Sequence, residues 1–245
     1  MTLQEIFDQL SYGELSQISM GGSGDAGINE ANWERVLASV NLGLTELHKR
    51  FLLKEGRIDI QLEPGKNTYV LDKKYAQNNR ESFGVTKYLL DSPDAVFENN
   101  VLKIERVYDD LGNELGLNQG GDSYDLLLTS CRTPSYNTLV LPVDLKSEKV
   151  TVVYRENHPI ILKEQGYFAL DEVEVTLPYS HLEALLLYVA SRIMNPIGVS
   201  GSQGQFHEGN NYAAKFEAAC SRLEQTNLRI DQSERNSRLE RNGWV

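Results

Sequence analysis

Cysteine is scarce in this chain. Only Cys131 and Cys220 occur in 245 residues. They fall in different predicted elements with no second ligand beside either, which argues against a disulfide framework or a cysteine-built metal site. Reduced thiols in a cytosolic setting are the expectation. Long apolar runs are missing as well. The longest, Ala184 to Ala190, is far shorter than the roughly 20 residues that a membrane-spanning helix needs. No basic stretch leads into an apolar core at the start, so no signal peptide is expected. Positive charge is the third shortage, with 24 Lys and Arg against 35 Asp and Glu and a formal net charge of −11. That balance speaks against tight, phosphate-driven binding of nucleic acid. It does not exclude a surface past which nucleic acid slides, where repulsion would prevent sticking.

What remains is ordinary for a globular chain. Hydrophobic residues make up 40% and charged residues 24%. The length allows one large core or two small ones.

Helical spacing marks both ends of the chain. Thr2 and Glu5 form a capping box, and Leu3, Ile6, Phe7 and Leu10 follow as an apolar stripe over residues 2–10. A long helix is predicted from Asn29 to about Leu53 on Trp33, Val36, Leu37, Val40, Leu44, Leu47 and Phe51. Gly43 inside it costs about 1 kcal/mol relative to Ala, so close packing against a neighbour is expected there. Near the other end, Leu182, Leu185, Leu186, Val189, Ala190 and Ile193 line one helix face. Ser180 and Glu183 read as its capping box and Pro196 as its stop. A partner helix is predicted from about Asn210, carrying Tyr212, Phe216, Ala219, Leu223 and Leu228.

The middle has strand period. Ile58, Ile60 and Leu62 alternate with polar residues, Pro64-Gly65 supplies a turn, and Thr68 to Leu71 returns as an amphipathic hairpin. Further strands are predicted at Val85–Leu90, Val101–Val107, Asn137–Leu141, Lys149–Arg155 and Glu172–Leu177, with 73–133 the least regular part. The fold class expected is α+β. A helical bundle from residues 1–55 and 177–230 carries an inserted β-rich domain, 56–176, and an extended tail, 231–245.

The chemical motifs do not assemble. Gly22, Gly24 and Gly27 satisfy G-x-G-x-x-G, but the segment before them is not a buried strand and an amphipathic hairpin follows the helix. Gly198, Gly201 and Gly204 lack a Lys-Ser/Thr ending. His207-Glu208 has no second histidine at zinc-protease spacing, and Ser23 and Ser200 do not complete G-x-S-x-G. His48, His158 and His181 stand singly and read as packing or surface residues. Asp109, Asp110, Asn113 and Glu114 lack calcium-loop spacing and read as a solvated hairpin turn. No catalytic residue, cofactor or metal is therefore expected. The C-terminus resists so plain a reading, because Trp244 and Val245 follow a polar stretch that builds no core. They suit an anchor for another chain, or a tail docked back on its own domain.

Three stretches carry a resemblance. Leu3-Gln4-Glu5-Ile6-Phe7-Asp8-Gln9-Leu10-Ser11-Tyr12-Gly13-Glu14-Leu15, the Leu177-Pro178 to Arg192 segment, and Leu239-Glu240-Arg241-Asn242-Gly243-Trp244-Val245 together resemble the head-to-tail adaptors, or connectors, of short-tailed bacteriophages. The resemblance implies a structural virion protein at the head–tail interface, made in the host cytoplasm. It implies a homo-oligomeric, usually dodecameric, ring that joins the portal protein to downstream tail proteins. DNA passes through the lumen of such a ring without specific binding, and no membrane is involved. It also implies that the C-terminal tail docks on the portal, here through Arg235, Arg238, Leu239, Arg241, Trp244 and Val245. The rival readings are a tail or neck subunit that never touches the portal, and an envelope-degrading hydrolase.

Overall fold

The computed structural model describes residues 1–16, 19–20, 27–28, 30–79, 84–118, 130–163, 169–194 and 203–226. It is an α+β protein of two units. One combines Met1–Leu52 with Ile161–Val245, and the other is the continuous stretch Leu53–Ile160. Residues 161–176, expected in the β-rich part, belong to the first unit.

The first unit is helical. Helix α1, Leu3–Tyr12, begins at the capping box read from the sequence. Thr2 Oγ1 accepts from the Glu5 N–H at 3.3 Å, and Glu5 Oε2 accepts from the Thr2 N–H at 3.2 Å. The remaining free donors of its first turn go to the carbonyls of Val173 and Leu170, from Leu3 N at 2.9 Å and Gln4 N at 3.0 Å. That corrects the strand expected at Glu172–Leu177. The segment gives its carbonyls to a helix N-terminus and keeps only an isolated bridge between Thr2 and Glu174. Ser19–Met20 (β1) and Gly27–Ile28 (β2) form a two-residue parallel pair.

Helix α2, Trp33–Arg50, is shorter than predicted at both ends, with a 3-10 turn at Glu30–Asn32 before it and extended backbone at Phe51 after it. Its stripe of Val36, Leu37, Val40, Leu44 and Leu47 is buried. Helix α3, Leu182–Met194, packs against α2 where Gly43 leaves room; a Cβ there would lie 2.7 Å from Leu185 Cδ1 and 3.0 Å from Tyr188 Cδ1. Helix α4, Gln203–Gln225, starts seven residues earlier than its expected position at Asn210. It packs along α3 through a perpendicular Tyr188–Phe216 ring pair, centroids 5.2 Å apart. Arg50 ties the end of α2 to α4 by ion pairs to Glu217 at 2.6 Å and Glu224 at 2.8 Å.

The second capping box is a correction. Residues Tyr179–His181 already form a 3-10 turn, so Ser180 sits inside helical backbone rather than at an N-cap. Its hydroxyl meets His181 Nδ1 at 3.1 Å, and Glu183 pairs with Arg222 at 2.8 Å.

Among its described residues the second unit has eight strands: β3 (Glu55–Gln61), β4 (Thr68–Val70), β5 (Leu89–Leu90), β6 (Val101–Tyr108), β7 (Glu114–Leu115), β8 (Arg132–Ser135), β9 (Thr138–Val140) and β10 (Lys149–Glu156). They make two antiparallel sheets, ordered β5-β3-β10-β6-β7 and β4-β9-β8. The hairpin predicted from Ile58 to Leu71 does not form. Pro64-Gly65 does turn the chain, with Gly65 at φ 77° and Lys66 N donating to Glu63 O at 3.1 Å. Its two arms then part, β3 pairing with β5 and β10 while β4 pairs with β9. Both turn and alternation are local properties, whereas the choice of partner is made by a core spanning the two sheets.

That core gathers Ile58, Ile60, Tyr69, Leu71, Tyr88, Ile104, Val107, Leu139, Val150, Val152 and Tyr154. Along β6 the inward residues are Val101, Ile104 and Val107, three apart instead of two. Two bulges explain the spacing, because the register against β10 skips Leu102 and Glu105. The opposite face of the large sheet carries cross-strand charge. Asp59 accepts from Lys149 Nζ at 2.8 Å and Thr151 Oγ1 at 2.7 Å, Glu105 meets Arg155 at 2.7 Å, and Glu55 pairs closely with Arg106. Burial opposes ionisation of Asp59, yet these two donors hold its carboxyl below the usual range.

Candidate functional site

The distal end of the β unit gathers its connecting segments. β3 and β6 both run antiparallel to β10, so Gln61 and Tyr108, at their C-terminal ends, lie beside Lys149 and Thr151 at the start of β10. The chain enters and leaves this unit at the other end, where Glu156 N donates to Lys54 O at 3.0 Å. Three connections therefore meet at the distal end: 62–67 before β4, 109–113 before β7, and 141–148 before β10.

Hydrogen bonds fix their positions. Leu62 N and Gln61 Nε2 both donate to Glu148 O, at 2.9 and 3.0 Å, and Leu141 N donates to Asn67 O at 2.8 Å. Ser147 Oγ donates to Asp110 Oδ1 at 3.0 Å. Between 62–67 and 141–148 lies an open groove of about 550 Å³, whose apolar lining is Leu62, Pro64, Leu141, Pro142, Val143 and Leu145. Val143 is 73% exposed and Leu111, on the β6–β7 turn, 83%. Two large apolar side chains are thus left open on loops whose backbones these hydrogen bonds hold.

The 62–67 wall is held from below by tyrosines. The Tyr69 hydroxyl accepts from Glu63 N at 2.8 Å and donates to Lys66 O at 3.1 Å, clasping both ends of the turn. The Tyr88 hydroxyl accepts from Val70 N at 3.1 Å and donates to Val70 O at 3.0 Å, which satisfies the open edge of β4. The backbone of Tyr88 meanwhile extends the large sheet, since Gln61 N donates to Tyr88 O at 2.8 Å. One residue thus joins the two sheets. Both rings are buried, and burial pushes the Tyr88 phenol well above its ordinary pKa.

The acidic turn beside the groove is the solvated hairpin turn read from the sequence. Asp109 accepts from Leu111 N, Asn113 N and Asn113 Nδ2 at 2.7 to 2.9 Å. The Asn113 side chain, helped by the backbone donors, holds its carboxyl below the usual range. Its oxygens are committed to the turn, and among the described residues no group of three or more His, Cys, Asp or Glu could hold a metal ion.

The three single histidines are all buried. Burial lowers the pKa of His158 and of His181. Ser180 and His181 do place a hydroxyl and an imidazole 3.1 Å apart, but among the described residues His181 Nε2 meets no hydrogen-bond partner that could orient or charge the ring, as a nucleophile–base pair requires. The ring lies edge-on to Phe51 at 4.8 Å, which is a packing arrangement. Cys131 and Cys220 are buried free thiols, each pushed up to about 11 by burial and so unreactive near neutrality.

The docking residues expected in the tail, Arg235, Arg238, Leu239, Arg241, Trp244 and Val245, lie outside the described residues, as do Gly22, Gly24 and the 195–202 connection. His207 and Glu208 fall in the opening turns of α4. Sequence reasoning missed the distal groove, because its walls are about 80 residues apart in the chain. The one local signal was Lys66 three residues before Tyr69, at the foot of a Pro-Gly turn.

No protein-family model and no curated protein matches the chain. Among the described residues no helix is long and apolar enough to cross a membrane.

Proposed function

We propose that this protein is a structural subunit of a bacteriophage head-to-tail adaptor, a ring that docks under the portal vertex and continues the DNA channel toward the tail. The observation that carries the reading is the division of the chain. Both ends contribute to one helical unit, and a continuous β unit, Leu53–Ile160, is inserted between them. This is the arrangement that the resemblance implies. The distal groove and the exposed Val143 and Leu111 supply a place for a neighbouring subunit or a tail protein to rest. The acidic balance suits a lumen that lets DNA pass without holding it.

In this reading the helical unit is a bundle at the portal side. Residues 231–245 reach along the portal, with Leu239, Trp244 and Val245 as apolar anchors and Arg235, Arg238 and Arg241 as polar contacts. An extended segment loses conformational entropy on docking, so a buried tryptophan must supply much of the offsetting energy. Ring contacts between copies are weak without the portal, because association costs rotational and translational freedom that the portal supplies in advance.

The test is to mix the full chain with the portal protein of the same virion and image the product by electron microscopy. A ring of copies seated on the portal is the expected result. Removal of residues 231–245 should abolish attachment while leaving the melting curve intact, and Trp244→Ala should weaken it. Assembly on tail proteins alone, with no portal binding, would replace this reading with a neck or tail subunit. Release of sugars or peptides from envelope polymers would replace it with a hydrolase.

A further inference from the structure

Beneath the distal groove, Lys66 does something unusual for a turn lysine. Its ammonium Nζ lies 3.9 Å from the ring centroid of Tyr88 and 5.2 Å from that of Tyr69, and 3.1 Å from Glu63 Oε2. The two rings stand at 82° with centroids 5.2 Å apart, so they form two walls of a box. Tyr75 stacks behind Tyr88 at 4.7 Å and 23°, backing that wall. Faces of aromatic rings attract cations through their quadrupole, and a carboxylate on the third side adds charge neutralisation.

The walls do not depend on the lysine side chain. Both phenol hydroxyls are fastened to backbone, Tyr88 to Val70 and Tyr69 to Glu63 and Lys66. Tyr69 and Tyr88 are buried to 0% and 2% exposure, which keeps them in place within the core.

We propose that Tyr69, Tyr88 and Glu63 form an ammonium-binding cage, occupied in the folded chain by its own Lys66. The lysine is thereby the ligand that fastens the 62–67 wall, and a vacated cage takes small alkylammonium ions. The cage stands apart from the ring reading, since it depends only on geometry within the β unit.

The experiment uses the full chain. Lys66→Ala should lower the melting temperature by a few degrees, and methylammonium or ethylammonium chloride should restore part of that loss beyond what sodium chloride does at equal ionic strength. The same salts should leave the unaltered protein unchanged, and the double variant Lys66→Ala/Tyr88→Leu should show no recovery. In the unaltered protein, the ε-methylene proton resonances of Lys66 should be shifted upfield by the ring currents of the two tyrosines. This second readout needs no variant to fold. Lys66 resonances at the position of solvated lysines would overturn the proposal. So would equal stabilisation of Lys66→Ala by ammonium and sodium salts.

Discussion

Gly43 and Gly56 solve the same packing problem in two differently built units. In the helical unit, Gly43 brings α2 up to α3, and the atoms that a Cβ would meet first are the end of the Leu185 side chain and an edge of Tyr188. In the β unit, Gly56 lets the end of the Tyr154 ring come up against β3, where a Cβ would fall 2.5 Å from Cε2 and 2.6 Å from the hydroxyl oxygen. Tyr154 is itself buried, with Phe97 against it at 5.9 Å. The difference lies in how freely the neighbour can retreat. A leucine tip has other rotamers, whereas a buried ring wedged between a strand and another ring has few.

That contrast gives the largest predicted effect. Gly56→Ala should destabilise by about 3 kcal/mol through overpacking, while Gly43→Ala should stay within about 1 kcal/mol because helix propensity offsets part of its clash. Chemical denaturation of both variants checks the ordering, and a larger loss at Gly43 would reverse the picture of the two units. Next comes Tyr88→Phe. It keeps the ring but leaves the Val70 N–H and C=O without their partner, at a cost of about 2 kcal/mol. Hydrogen exchange at the Val70 amide should accelerate in that variant.

A smaller effect separates the two capping signatures, both in the helical unit. Thr2→Ala removes a formed cap and should cost about 1 kcal/mol, whereas Ser180→Ala removes none and should cost only a few tenths. Melting of the two variants side by side decides it.

The smallest effect concerns acid, and it is shared by the two units. His158 lies in the β unit and His181 in the helical unit, and burial lowers both below the ordinary histidine range. The unfolded chain then takes up protons first. Stability is complete above the unfolded pKa and is lost as pH falls through the window between it and the lowered folded values. Both units should loosen together over that window. Melting followed against pH checks this, and His158→Gln or His181→Gln should each flatten part of the dependence.

These contrasts show how much of the fold could be read from residues alone. Helix α1 was legible because its signals are local: Thr2, Glu5 and a stripe at helical spacing lie within one short segment. Ser180 and Glu183 carry the same letters, yet a 3-10 turn shifts where helical backbone begins, and nothing in the spacing reports that shift. The Pro64-Gly65 turn was legible for the same reason as α1. Its outcome was not, since β3 finds its main partner in β10, about 90 residues on. β8 went unread because Pro134 breaks a strand pattern, though at the outer edge of a sheet proline is tolerated. The groove was the least legible part, being made where 62–67 and 141–148 meet.

The way the units interleave along the chain also sets an order of events during synthesis. All of the β unit, from Leu53 to Ile160, has been synthesised before the first residue of α3 is made, and it emerges from the ribosome ahead of α3 and α4. Its strands can therefore close into sheets while α1 and α2 still lack the helices that cover them. The helical unit must wait for α4, the last described element. During that interval Val36, Val40, Leu44 and Leu47 stand uncovered on α2, and this is the stretch that a chaperone would meet on the nascent chain.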